Sequence, residues 1–328
     1  MSATRSDSIA EWRARAYPAV DDQPADGPCN AHRPVPTTVT RYESVARPQP
    51  ADGNPPDNIA LAADSFDRMT VPVRLGGQGP FLFLVDTGAD RTAISSELAG
   101  KLGLVMGPRA LLHSATGESH VAMAVIDDLR LGRTSVQRIE APLLAAADIG
   151  ADGILGIDSL RAQRLLFDFS ARTLSMTTSR GRDELSGEDV IIVRAQRREG
   201  RLVVTDAVAD GKHVSVVVDT GSQYSIGNAA LRRALERHGR LEVIGPVELL
   251  SVTGASLRGE LAMVRELEIG RATITNLALV FADAHTFHQL DFDRSPAILL
   301  GMNGLRSFDK VSIDFETRKL RLMVTAPR

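Results

Sequence analysis

Two textures divide the chain. From Ser65 onward, apolar positions recur in short alternating or continuous runs of strand length, whereas before it no apolar period lasts more than a turn. Met69-Thr-Val-Pro-Val-Arg-Leu75 alternates, Gly76-Gly77-Gln78-Gly79-Pro80 turns the chain, and Phe81-Leu-Phe-Leu-Val85 follows as a continuous apolar run. That order predicts a hairpin closed by a Gly-rich loop. No Lys-Ser/Thr follows these glycines and no helix opens there, so they read as turn residues and not as a phosphate loop. Helical patterning is sparse. Ser95 caps a predicted helix over Glu97–Leu102 that stops at Gly103, and Ala229–His238 forms a second, stopped by Gly239.

The strand-rich part repeats itself. Phe83-Leu-Val-Asp-Thr-Gly-Ala89 resembles Val216-Val-Val-Asp-Thr-Gly-Ser222, and each of these segments is followed by one of the two helical patterns. Further along, Ser114-Ala-Thr-Gly117 matches Ser251-Val-Thr-Gly254, and Asp128-Leu-Arg-Leu-Gly132 matches Glu266-Leu-Glu-Ile-Gly270. Gly153-Ile-Leu-Gly156 then matches Ile298-Leu-Leu-Gly301, and Phe167-Asp-Phe-Ser-Ala-Arg-Thr-Leu174 matches Ile313-Asp-Phe-Glu-Thr-Arg-Lys-Leu320. The order never changes while the offset drifts from 133 to 146 residues, as small loop insertions produce. The chain therefore reads as two homologous β-rich lobes, 65–180 and 188–326, joined by a polar link over Thr177–Glu188. Residues 1–64 form a tail: nine of the 16 prolines lie before Asn58, and the stretch from Asp21 to Asp57 reads as extended and largely disordered. Trp12, Tyr17 and Tyr42 are its candidate docking points.

Composition narrows the class. Hydrophobic residues make up 43% of 328, enough for a real core, but aromatics only 4%, so Val, Leu, Ile and Ala must fill it. A net charge of −3 speaks against nucleic-acid binding. No apolar run approaches the roughly 18 residues that span a bilayer. Met1–Trp12 has no leader-like apolar stretch, which makes a cytoplasmic location the default expectation and leaves export open. One cysteine, Cys29, allows neither an internal disulfide nor a cysteine metal cluster.

The chemistry lies in the two Asp-Thr-Gly turns. In each, an apolar strand delivers an aspartate to a tight turn; Thr87 and Thr220 can bond backbone across a lobe interface, and Gly88 and Gly221 permit close approach. A pseudo-two-fold axis then sets Asp86 beside Asp219. Two adjacent carboxylates share one proton. The ionised member takes a proton from water and the protonated member donates to a carbonyl oxygen, so an amide is hydrolysed without a cofactor or metal. The blander alternative is that each aspartate merely caps its own turn. Ser222 offers Asp219 a hydroxyl that Ala89 cannot offer Asp86, which predicts Asp219 as the ionised partner and Asp86 as the proton carrier.

From about Phe66 to Val324 the chain resembles the retropepsin-like aspartic proteases, with two lobes fused as in pepsin-type enzymes. Asp86-Thr-Gly-Ala-Asp90 matches the retropepsin motif in full, Asp219-Thr-Gly-Ser222 matches its serine variant, and Ile154-Leu-Gly156 and Leu299-Leu-Gly301 match the apolar-apolar-Gly element that packs beneath the catalytic loop. The resemblance implies an all-β fold of two closed lobes with short helices, related by a pseudo-two-fold axis, and endopeptidase activity on a peptide or protein substrate. It implies Asp86 and Asp219 as the catalytic pair, supported by Thr87, Gly88, Thr220, Gly221 and Ser222. It also implies flaps around His113–His120 and Leu250–Leu257, with Ala89, Asp90, Gln223, Thr116, Gly117, Thr253 and Gly254 toward substrate. Asp90 either meets substrate backbone or ties down its own loop. Relatives of bacterial origin with such lobes are often exported. The chain departs from the viral pattern in having Ile157-Asp158 and Met302-Asn303 in place of Arg-Asn, which puts the viral intersubunit arginine network in doubt. A flap tyrosine of the pepsin type is not evident. A monomer with lobes paired within one chain is the leading arrangement. A peptide-binding or regulatory module of the same fold, and a homodimer pairing lobes between chains, stay open.

Other features read as bland. His285 and His288, near Asp283, Asp291 and Asp293, are expected in a solvated loop with no helix to fix their spacing, so no metal site is assigned. His113 and His120 are expected to be exposed. No Gly-x-Ser-x-Gly nucleophile element occurs. The Arg197-Arg-Glu-Gly-Arg201 turn and the Arg232-Arg233 pair are expected to be solvated.

Overall fold

The computed structural model describes residues 34–35, 37–38, 57–63, 69–179, 185, 190–237, 239 and 241–324. Trp12, Tyr17, Tyr42, Cys29 and most of the expected tail lie outside the described residues. Within that tail, Pro34–Val35 runs parallel to Leu250–Ser251, and Thr37–Thr38 pairs with Ser114 and His113.

Each repeat folds as a closed, strongly bent sheet. In the first, Met69–Leu75 and Gln78–Val85 form the expected hairpin. The short strand Ala93–Ser95 follows, and then a long hairpin of Val105–Ser114 against Gly117–Leu131, which returns through Thr134–Leu144. Gly153–Leu155 slots in parallel beside Phe83–Val85. Pairing of Arg74 and Leu75 with Arg130 and Leu129 closes the sheet. The second repeat has the same plan. Lys212–Val218 lies between Arg201–Ala209 and Ala297–Leu300, and the long hairpin joins Glu242–Ser251 to Ser256–Ile269. Pairing of Ala207 with Ile269 closes it.

The helices stop where their caps allow. Ser96–Leu102 is capped by Ser95, whose Oγ accepts from the Leu98 N–H at 3.1 Å, and ends at left-handed Gly103. The second expected helix is shorter than its pattern: it runs Ala229–Glu236, capped by Asn228, whose Oδ1 accepts from the Leu231 N–H at 2.9 Å.

The two lobes share a six-stranded sheet whose order is Val190–Arg194, Lys319–Met323, Lys310–Asp314, Gln163–Asp168, Thr173–Thr178 and Asp57–Ala60. At its centre Leu166 pairs with Ser312, its own counterpart in the repeat, while Leu165 pairs with Ile313 and Phe167 with Val311. A residue that pairs with its own copy lies on the symmetry axis, so the pseudo-two-fold passes here. Asp57–Ala60, ahead of the expected start at 65, brings Ile59 into the core. Leu165, Phe167, Val311 and Ile313 are fully buried in one apolar cluster that reaches both lobes, which fixes their relative position.

Candidate active site

The strands ending at Val85 and Val218 carry Asp86 and Asp219 to the lobe interface. Their backbone N–H groups donate to Leu155 and Leu300 carbonyls, both at 3.0 Å, so the apolar-apolar-Gly elements anchor the aspartates directly. Those elements also hold the loop beyond. Ile157 N donates to Ala89 O and Met302 N to Ser222 O, each at 2.8 Å. Thr87 and Thr220 lock the two turns together. Thr87 N donates to Thr220 Oγ1 at 3.0 Å and Thr220 N to Thr87 Oγ1 at 3.1 Å, while the hydroxyls donate to Val218 O and Val85 O at 3.0 and 2.7 Å. This four-bond crossing is what the motif's threonines predict.

The turns lie so close that each glycine faces the other turn's carboxylate. A methyl added to Gly221 would overlap the Asp86 carboxylate, and one added to Gly88 would lie 2.7 Å from Asp219 Oδ1. Hence Gly221→Ala is expected to displace Asp86 or part the lobes, cutting turnover at least a hundredfold. Retention of more than a tenth of wild-type turnover would contradict this packing.

Asp86 and Asp219 are buried, at 0% and 2% exposure. Asp86 Oδ1 accepts from Gly88 N at 2.7 Å and Ala89 N at 3.1 Å, and Asp219 Oδ1 accepts from Gly221 N at 3.1 Å. Burial, and next the charge of Asp86, push Asp219 well above the usual carboxylate range. The Ser222 side chain does not supply the hydrogen bond expected to hold Asp219 ionised. The Ser222 hydroxyl instead donates to Tyr224 O at 2.7 Å and is spent on its own loop.

Several neighbours were not legible beforehand. Arg201 is not on a solvated turn: it is fully buried and crosses from the second lobe, donating through Nε to Gly88 O at 3.0 Å and through Nη2 to Asp90 Oδ2 at 3.3 Å. An arginine thus does bridge the lobes, from a strand and not from the position after the apolar-apolar-Gly element. Asp90 is tied to this arginine; burial, partly offset by Arg201, holds its carboxyl up at about 6. Arg197 and Arg198 also have partners, donating to Phe315 O at 2.8 Å and Leu290 O at 3.0 Å. Asp158 and Asn303 do corresponding jobs in the two lobes. Asp158 Oδ1 accepts from Thr92 N and Oγ1 at 2.9 and 2.7 Å, and Asn303 Oδ1 accepts from Ser225 N and Oγ, both at 2.8 Å. Burial pushes Asp158 upward. Gln223, opposite in the repeat to Asp90, is buried.

The long hairpins meet the opposite lobes at their tips. Ala115 joins the apolar cluster of the second lobe with Val217, Phe287 and Leu299, and its carbonyl accepts from His285 N at 2.8 Å. Val252 joins the first lobe's cluster with Leu84, Ala89 and Ile154. A cavity of about 430 Å³ lies between the tips and the Ala146–Ile149 helix, with Thr116, Gly117 and Thr253 in its wall. Gly254 sits against the Asp148 carboxylate. His285 and His288 lie on a short helix, His285–Gln289, and not in a loop; His288 pairs with Asp293 and, at 2.9 Å, with Asp283.

Paired closed lobes, a shared interlobe sheet and two facing Asp-Thr-Gly turns define a two-lobed, retropepsin-like class of protein. The sequence profile of the aspartyl protease family matches residues 71–159 and 205–303, more than half of the chain, and the chain belongs to that family. No curated protein matches it. Membership carries a protease-type function. Among the described residues no helix is long and apolar enough to cross a membrane.

Proposed function

We propose that this protein is an aspartic endopeptidase in which Asp86 and Asp219, from the two lobes of one chain, activate a single water against an extended peptide. The observation that carries the reading is the mutual approach of the two buried turns, with each glycine against the other's carboxylate. Asp219, raised by burial and by the charge of Asp86, holds the proton, and Asp86, whose Oδ1 accepts from the Gly88 and Ala89 N–H groups, serves as the ionised base. As the water oxygen bonds to the scissile carbonyl carbon, its proton passes to Asp86. The carbonyl oxygen takes the proton of Asp219, and a tetrahedral diol results. Collapse of the diol breaks the C–N bond: one diol hydroxyl returns a proton to Asp219 as the carbonyl re-forms, and the proton held by Asp86 passes to the departing amine, which restores the dyad. The hairpin tips, with Ala115 and Val252 buried in opposite lobes, must lift before a strand-like substrate enters and pairs with them. Lobe pairing within one chain is supported by the Leu166–Ser312 centre of the shared sheet.

The test is cleavage of a peptide library by the full chain, read by mass spectrometry across pH. Turnover is expected on the acid side and is expected to fall as pH rises through the raised Asp219 pKa, where the shared proton is lost. Stability is expected to follow the same sign. A carboxyl raised in the fold binds its proton more tightly folded than unfolded, so it favours the acid-side fold. For Asp90 that contribution is complete below about 4 and lost as pH rises past about 6. Asp168 and Asp314, held low by hydrogen bonds that outweigh burial, act oppositely, and their contribution is lost below the usual carboxylate range. A statine-type mimic should bind tightly. Tight peptide binding without cleavage at any pH would instead identify a binding module of the same fold.

A further inference from the structure

Outside the dyad, the described residues bring three metal-ligating side chains together where the first long hairpin meets the second lobe. His113 and Glu118 are direct cross-strand partners beside the hairpin tip, so their side chains leave the same face. His285 reaches them from the second lobe, held in place by its backbone bond to Ala115 O at 2.8 Å. His113 Nδ1 lies 3.0 Å from His285 Nε2 and 3.3 Å from Glu118 Oε1, and the three ligand atoms all lie within 4.8 Å of one another.

A ring nitrogen has one in-plane direction for a proton or lone pair, so His113 Nδ1 cannot make two straight hydrogen bonds at once. A single cation among the three atoms engages all of them. Zinc–nitrogen and zinc–oxygen bonds of about 2.0–2.1 Å in a tetrahedron put ligand atoms about 3.3 Å apart, the scale of both short separations here. We propose that His113, Glu118 and His285 form a binding site for a borderline divalent transition metal, Zn2+ foremost, that clasps the first hairpin to the opposite lobe. Two imidazoles and one carboxylate suit Zn2+ better than Ca2+ or Mg2+, which prefer all-oxygen shells. Three protein ligands leave a fourth position for water. The Glu118 side chain, 51% exposed against 13% for His113, gives the ion its route from solvent. Occupation would hold Ala115 in the second lobe and so oppose lifting of that tip. The site itself does not depend on the protein being a peptidase.

The experiment is titration of the full metal-free chain with Zn2+ by calorimetry and with Co2+ by visible absorption. One equivalent is expected, with a tetrahedral Co2+ spectrum and a higher melting temperature in Zn2+. His285→Ala and Glu118→Gln should each weaken Zn2+ binding at least tenfold and remove the Zn2+-dependent rise in melting temperature, while circular dichroism confirms that the variants fold. Asp283→Asn, which alters the separate His288 cluster, should change nothing. Absence of a one-equivalent binding step at micromolar metal, or binding that survives His285→Ala or is lost on Asp283→Asn, would overturn the proposal and leave an imidazole hydrogen bond as the whole of the contact.

Discussion

Asp86→Asn and Asp219→Asn should each lower peptide turnover by about 10²–10⁴-fold, Asp86→Asn more, while leaving the protein folded. An asparagine at 86 keeps an oxygen for the Gly88 and Ala89 N–H groups but cannot take a proton from water. An asparagine at 219 keeps an acceptor for Gly221 N and removes a buried carboxyl that burial and Asp86 push toward its neutral form. Its melting temperature should therefore equal or exceed that of the wild type at neutral pH, where the native dyad bears most charge. The measurement is kcat on a cleaved library peptide, paired with thermal melts. Turnover near the wild-type level in Asp86→Asn would end the acid-base reading of the site. Lost turnover together with a collapsed melt would show that the aspartate had been structural.

The second large effect concerns stability. Thr220→Val is nearly isosteric, so it opens no sizeable cavity. It strips Thr87 N of its acceptor and Val85 O of its donor, both inside the lobe interface. Two buried backbone groups left without partners cost about 1–3 kcal/mol each, so a loss of about 2–6 kcal/mol is expected. Thr87→Val should do the same through Thr220 N and Val218 O. Because the two threonines form one unit, the double variant should lose less than the sum of the singles. Urea unfolding measures this, and a single-variant loss below about 1 kcal/mol would mean that the crossing bonds contribute little beyond what water could supply. Turnover should drop as well, since the same bonds set the spacing of the aspartates.

Residue order revealed much of this molecule because the relevant signals are local or repeated. Alternation over Met69–Leu75 and the Gly-rich turn after it specify a hairpin, and duplication of Asp-Thr-Gly with its companions specifies two like lobes. The threonine crossing also followed, since a hydroxyl at a two-fold contact meets its own copy. The errors share a cause. Ser222 lies close to Asp219 in sequence, yet its rotamer serves Tyr224. Charged neighbours make Arg201 look solvated, yet its strand carries it across the interface to Gly88 and Asp90. The residues around His285 carry no helical pattern, but a short helix turns it toward His113, 172 positions earlier in the chain.

The strand pattern, the duplication and the identity of the two aspartates are written in residue order, because backbone preference, periodicity and repetition act over a few bonds or a whole copied segment. It took the closed fold to set which arginine guards the loop, which histidines meet and how deeply the two aspartates are buried against each other. Those outcomes depend on burial, and on contacts between groups more than a hundred residues apart, which are set when the two lobes close on each other.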